Sequence, residues 1–202
     1  MKYSVYLRPF KIEDAEKINN WRNTEEIYHF TGGRFRFVSL EMERKWIMDK
    51  MTNNIKNEYF AICLNDDSQE IIGYIGLTDI DIYNLSGFIN GPVFGLEHRK
   101  SIFVIDTMKQ ILEYGFMHIG LNRMTGGVLD EHINSKVMNE MMGFSFEGIA
   151  KEAIYKRHKY HDLWRYAILY SDWKRLNEEG EYDFAKITKR AAEALKKLRN
   201  KD

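Results

Sequence analysis

A single mixed α/β (α+β) domain is what this sequence predicts, and three observations carry the prediction. Near the N-terminus, apolar residues recur at helical spacing in two stretches, residues 13–22 and 39–47. A hairpin pattern follows, with apolar runs at 59–64 and 71–77 joined by the turn cluster Asn65-Asp66-Asp67-Ser68. From residue 86 onward, strand and helix patterns alternate as far as a last strand at 164–169.

In chain order, residues 3–7 alternate as a first strand, which Arg8-Pro9-Phe10 ends. The helix from Glu13 puts Ala15, Ile18 and Trp21 on its apolar side, a short helical patch covers 25–30, and Thr31-Gly32-Gly33 breaks the chain. Ser39 ahead of Glu41 and Glu43 reads as an N-cap with an acidic first turn, and Trp46 and Ile47 complete an amphipathic face. The second hairpin strand continues through Asp79 and Asp81 before a turn into a strand at 86–94. A break at Gly91-Pro92 and the polar turn Glu97-His98-Arg99-Lys100 precede a helix on which Ile102, Ile105, Met108, Ile111, Leu112 and Phe116 recur, with Ser101 as its cap. A helix opening after a basic loop offers free backbone N–H groups and a positive dipole end to a phosphate; an ordinary strand-to-helix connection reads the same way. Next come a strand at 124–129, a loop at 130–134, and a helix at 135–142 closed by Gly143. Strands at 144–150 and 164–169 finish the domain, joined by a polar segment holding Lys156, Arg157, His158, Lys159, His161 and Asp162. The domain is thus residues 1–173, followed by a charged helical extension at 174–202.

The 30 basic and 30 acidic residues cancel, so no global field recruits nucleic acid or an anionic membrane. Cys63, the single cysteine, sits in an apolar run; that excludes a disulfide framework and a multi-cysteine metal site, and no metal is expected. The N-terminus lacks a secretory signal and no apolar segment approaches the roughly 20 residues that span a bilayer, so the expected compartment is cytoplasmic.

The phrases YLRPFKIEDAEKINNWRN, SLEMERKW, IIGYIGLTDID, GLNRMTGGVLDEHINS, EMMGFSFEG and KYHDLWRYAILYSDW, in this order and spacing, resemble the GNAT superfamily of acyl-CoA-dependent N-acetyltransferases. The nearest branch is similar to the ribosomal-protein N-terminal acetyltransferases. The resemblance implies a GNAT-like, mostly antiparallel central sheet whose central strands splay apart to hold acetyl-CoA. It assigns the pantetheine-pairing stretch to Pro92, Val93 and Phe94, and the pyrophosphate loop to Arg99, Lys100, Ser101, Ile102, Phe103 and Val104. Arg99 matches the family's Arg/Gln-x-x-Gly-x-Gly/Ala pattern, whereas its glycine positions hold Ile102 and Val104, whose branched bulk disfavours positive φ. Asn139 replaces the tyrosine that commonly protonates the departing thiolate, leaving Ser135 or a water to do so, and His132 replaces a common asparagine, with Asn134 two residues on. Pro92 removes an N–H near the acetyl carbonyl, a contact worth about 3–4 kcal/mol in a transition state.

The activity this implies is transfer of an acetyl group from acetyl-CoA to a primary amine of a small molecule or peptide N-terminus. Among Asp79, Asp81, Glu97 and Glu131, the preferred general bases are Asp79 and Asp81, with Trp21, Arg22, Asn23, Phe30 and Trp46 walling the acceptor side. The alternatives are a catalytically impaired GNAT-fold ligand-binding or regulatory protein, and an interaction protein whose C-terminal helix docks a partner or makes a homodimer through Ala185, Ile187, Ala191, Ala192, Leu195 and Leu198.

Overall fold

The computed structural model of the chain describes residues 3–29, 31, 33, 35–53 and 55–199. Seven strands, β1 (Val5–Pro9), β2 (Glu58–Leu64), β3 (Ile71–Asp81), β4 (Ser86–Phe94), β5 (Arg123–Leu129), β6 (Ser145–Lys156) and β7 (Lys159–Leu169), form one sheet in the order β1-β2-β3-β4-β5-β7-β6. Every pairing is antiparallel except that of β4 with β5. The helices are α1 (Asp14–Arg22), α2 (Glu25–His29), α3 (Leu40–Thr52), α4 (Ser101–Glu113), α5 (Ile133–Met141), α6 (Tyr170–Glu178) and α7 (Phe184–Arg199).

Alternation along the strands sends neighbouring residues into two cores. Ile62, Ile72, Ile75 and Leu77 join α4 in the larger one, whereas Ala61, Cys63 and Ile71 pack with Phe10, Ile18 and Ile47 under α1 and α3. Cys63 is a buried free thiol. Polar ties position the helices on this sheet. Arg8 donates to both oxygens of the Asp14 carboxylate at 2.7 and 2.8 Å, locking β1 to α1. The Ser4 N–H and hydroxyl both donate to Asp106 Oδ2, at 2.7 and 2.6 Å, fixing α4. Ser39 caps α3 by accepting from the Met42 N–H at 3.2 Å. Gly143, at φ +90°, ends α5 in the left-handed region.

The structure departs from the sequence expectations in two places. The polar segment at 156–162 is no loop, because β6 and β7 run through it to a two-residue turn at Arg157-His158 with φ of 51° and 59°. Polar side chains throughout this ribbon hide its period of two. Lys100, not Ser101, is the N-cap of α4; Ser101 is already helical. The C-terminal helix lays part of its apolar stripe on the chain itself and leaves Ala185 and Ala192 exposed. Ile187, Ala194 and Leu198 are buried, Arg190 Nε donates to Met141 O at 3.0 Å, and the hydroxyl of Tyr182, just ahead of α7, donates to Met142 O at 3.1 Å. No helix among the described residues is long and apolar enough to cross a membrane.

Candidate active site

The pairing of β4 with β5 joins only Ser86 with Arg123, Gly87 with Met124 and Phe88 with Thr125. Beyond these the two strands part around a cavity of about 700 Å³. Two local features open it. Between the pairs Tyr74–Val93 and Gly76–Asn90, β4 carries one residue more than β3, so a bulge falls at Gly91-Pro92. Past the bulge the Gly95 N–H donates to Ile72 O at 3.0 Å, and alternation then turns the N–H and C=O of Phe94 away from β3, toward the gap. Opposite lie Gly126 and Gly127 of β5, where the missing side chains leave the backbone approachable.

At one end of the cavity, Arg99, Ser101 and Val104 stand at the start of α4. Ile102 and Val104 lie within the first helical turn, and neither has a positive φ. Their branched side chains therefore carry no backbone strain: Ile102 packs against the core, and Val104 borders the cavity. Phe103 is buried in the core, with the Lys100 ammonium 5.5 Å from its ring centroid. The opening is consequently not sealed, and the N-terminus of α4 stands at its mouth.

A second wall comes from α5. His132, Asn134, Ser135 and Asn139 line it, and the spacing of His132, Ser135 and Asn139 by three and four residues sets them on one helix face. Asn139 is buried, its Nδ2 donates to Ser135 O at 2.8 Å, and its Oδ1 lies 3.3 Å from where a Cβ on Gly126 would stand. His132 is buried, with 6% of the residue exposed. Burial pushes its pKa below the usual imidazole value; the Lys156 and His29 charges act the same way, against a hydrogen bond with the His29 backbone and the Glu131 charge. It is therefore neutral at pH 7.

Sequence reasoning missed two further walls. Ile27 of α2 and Thr31 face the cavity from one side, where the buried Lys156 of β6 holds their segment by donating to the carbonyls of Tyr28, His29 and Thr31 at 2.9, 2.9 and 2.5 Å. Thr188 and Ala191 of α7 face it from another side. The adjacent glycines of β5 were a readable signal for the cleft; for α2 and α7 the sequence carried none.

Several expected residues are elsewhere. Asp79 is exposed, and its N–H donates to Asn57 Oδ1 at 3.3 Å. Asp81 spends its carboxylate on the β3–β4 turn, accepting from the Tyr83 and Asn84 N–H groups and from Asn84 Nδ2, which lowers its pKa. Asp81 pairs with Ser86, at the closed end of the cleft. Neither aspartate lines the cavity, and nor do the exposed Glu97 and Glu131. Trp21, Arg22, Asn23 and Trp46 belong to the packing of α1 on α3: Asn23 bonds the backbone of Val38, and Arg22 stacks 4.4 Å from the Trp46 ring centroid. Phe30 lies outside the described residues.

Ligand atoms of His29, Glu131 and His132 lie within 4.8 Å of one another. Arg157 Nη1 is 2.7 Å from His29 Nδ1. Arginine only donates, so that nitrogen is the acceptor of the contact. The Arg157 guanidinium on one side and the Lys156 ammonium, which donates to the His29 carbonyl, both oppose a cation at this group.

The family described as acetyltransferase (GNAT) domain matches residues 4–145. The probable N-acetyltransferase YjcK of Bacillus subtilis (strain 168) is 24% identical over 174 residues, covering 84% of this chain and 96% of that protein. The putative ribosomal N-acetyltransferase YdaF of the same organism is 26% identical over 104 residues, covering 52% of this chain and 56% of that protein. Among solved structures, the spermidine N-acetyltransferase of Vibrio cholerae in complex with CoA and spermine superposes with a TM-score of 0.77 at 22% identity, covering 85% of this chain and 98% of that one.

Proposed function

The chain belongs to the acetyltransferase (GNAT) family, which uses acetyl-CoA, and on that premise we propose that it acetylates the primary amine of a small molecule or a peptide N-terminus. The observation that carries the reading is the cleft: an unpaired Phe94 peptide group on β4, facing β5 across an open gap that ends at the α4 N-terminus and Arg99. An extended pantetheine arm fits such a gap as a substitute strand. A pyrophosphate fits its basic, N–H-rich mouth without any glycine. Near the closed end, Asn139 and Ser135 adjoin the place left for the sulfur.

The lining also supports a choice among acceptors. Among the described residues around the cavity there is no carboxylate, so nothing inside holds the second ammonium of a polyamine. A monoamine or a peptide α-amine suits these walls better than spermine, and the similarity to a ribosomal N-acetyltransferase favours the peptide.

Calorimetry with acetyl-CoA tests the cofactor half of the reading. Arg99→Met is expected to weaken binding about 10–100-fold, the loss of one charge-assisted contact, with a smaller deficit at high salt. Thiol release with a panel of a free-N-terminus peptide, glucosamine, a simple alkylamine and spermine tests the other half. The peptide or a monoamine should turn over fastest. Silence across the whole panel would reject amine acetylation.

A further inference from the structure

The transfer moves protons as well as an acetyl group, and the groups first expected to carry them do not reach the cleft. Asp79 and Asp81 are at the closed end, Glu97 and Glu131 are off the lining, and Asn139 is an amide. Of the described side chains around the cavity only Arg99 and His132 are ionisable. Arginine stays charged at any working pH, so His132 alone exchanges a proton near neutrality.

Its position matches that task. His132 heads α5 on the face that also carries Ser135 and Asn139, between the cofactor gap and the α2 wall of Ile27 and Thr31. A hydrogen bond with the His29 backbone orients the ring. The charged and titratable groups around it are His29 from α2, Glu131 beside it in the chain, and Lys156 from β6; His161 of β7 lies 4.0 Å from Glu131 and 3.3 Å from Asp130. Burial keeps the imidazole neutral, the form that accepts a proton.

We propose that His132 is the proton shuttle of the transfer, taking a proton from the attacking amine nitrogen and returning it to the CoA sulfur. The proposal rests on the acetyl-transfer reading given above. The neutral amine attacks the thioester carbon; a C–N bond forms and the carbonyl electron pair moves onto oxygen. The imidazole takes the proton from the now cationic nitrogen. As the C=O re-forms, the C–S bond breaks and the leaving thiolate takes that proton from the imidazolium. His132 starts and ends neutral, the products are an amide and a thiol, and one imidazole replaces both a separate base and the acid that Asn139 cannot be.

His132→Asn tests this, because it installs the amide that the family resemblance places there and so keeps a cofactor-holding role. With the fastest amine of the panel, kcat should fall about 100-fold while the Kd for CoA stays within threefold. In the unaltered protein, kcat should fall on the acid side with an apparent pKa below the usual imidazole value, and this limb should vanish in His132→Asn and His132→Gln. Full kcat with an unchanged pH profile in His132→Asn would overturn the shuttle and leave acetyl transfer standing. So would loss of CoA binding in that variant, which would assign His132 to holding the cofactor. A kcat flat from pH 5 to 8 in the unaltered protein also overturns it, whatever the variants do. No thiol release with any amine from the unaltered protein would remove both readings.

Discussion

Arg22→Met should destabilise the protein by about 3–5 kcal/mol, read as a lower urea midpoint. The Glu43 side chain is fully buried, its Oε1 accepts from Arg22 Nη1 at 2.9 Å, and its Oε2 has no partner among the described groups. Methionine keeps most of the contact with Trp46 but leaves a carboxylate in the core with nothing opposite it. The companion double variant, Arg22→Met with Glu43→Leu, removes both charges and should return to within about 1 kcal/mol of the parent, since well-packed apolar replacements of buried ion pairs are tolerated. A double variant as unstable as the single would mean that packing, not the stranded charge, sets the cost. Acetyl transfer by the folded fraction should be unchanged in either case, because Arg22 does not line the cavity.

Gly73→Ala should cost about 2–3 kcal/mol and damage cofactor binding at the same time. A Cβ there would collide with the Val93 carbonyl oxygen and stand 3.0 Å from Phe94 Cδ1 and 3.3 Å from Ile62 Cδ1. The first of these is backbone and cannot rotate aside, so β4 must shift, and with it the Phe94 peptide group that faces the gap. Gly91→Ala is the control for stability: nothing lies within 4 Å of its added Cβ. Thermal unfolding should separate the two variants by several degrees, and calorimetry should show weaker CoA binding in Gly73→Ala than in the unaltered protein. CoA affinity equal to that of the unaltered protein would mean that the β4 wall does not touch the cofactor.

Local chemistry was legible where one residue dictates one geometry. Ser39 announced the start of α3, Asn65-Asp66-Asp67-Ser68 the β2–β3 turn, and Gly143 the end of α5. Spatial consequences of pairing were not. The family layout put Asp79 and Asp81 among the acids nearest the gap. Antiparallel pairing instead sets Asp81 against Ser86, eight residues before Phe94, or about 26 Å away along the strand. The concern over Ile102 and Val104 had a similar origin, since it assumed a left-handed loop where the chain is already helical. His132 and Asn139 were legible as departures from the family pattern, but only the coordinates show that one is a buried imidazole on the cavity wall and that the other has its amide hydrogen committed to its own helix. For α7, amphipathicity told that one side would be covered without telling by what.

That helix has a consequence for biosynthesis. Thr188 and Ala191 belong to α7, which follows in sequence all the cavity's other walls, made by residues 27–163. Domains emerge from the ribosome N-terminal end first, so the strands and the central helix can associate while the cavity still lacks a side. Acetyl-CoA would then meet a complete pocket only once α7 has packed against the sheet, and any ligand-driven gain in stability begins at that step.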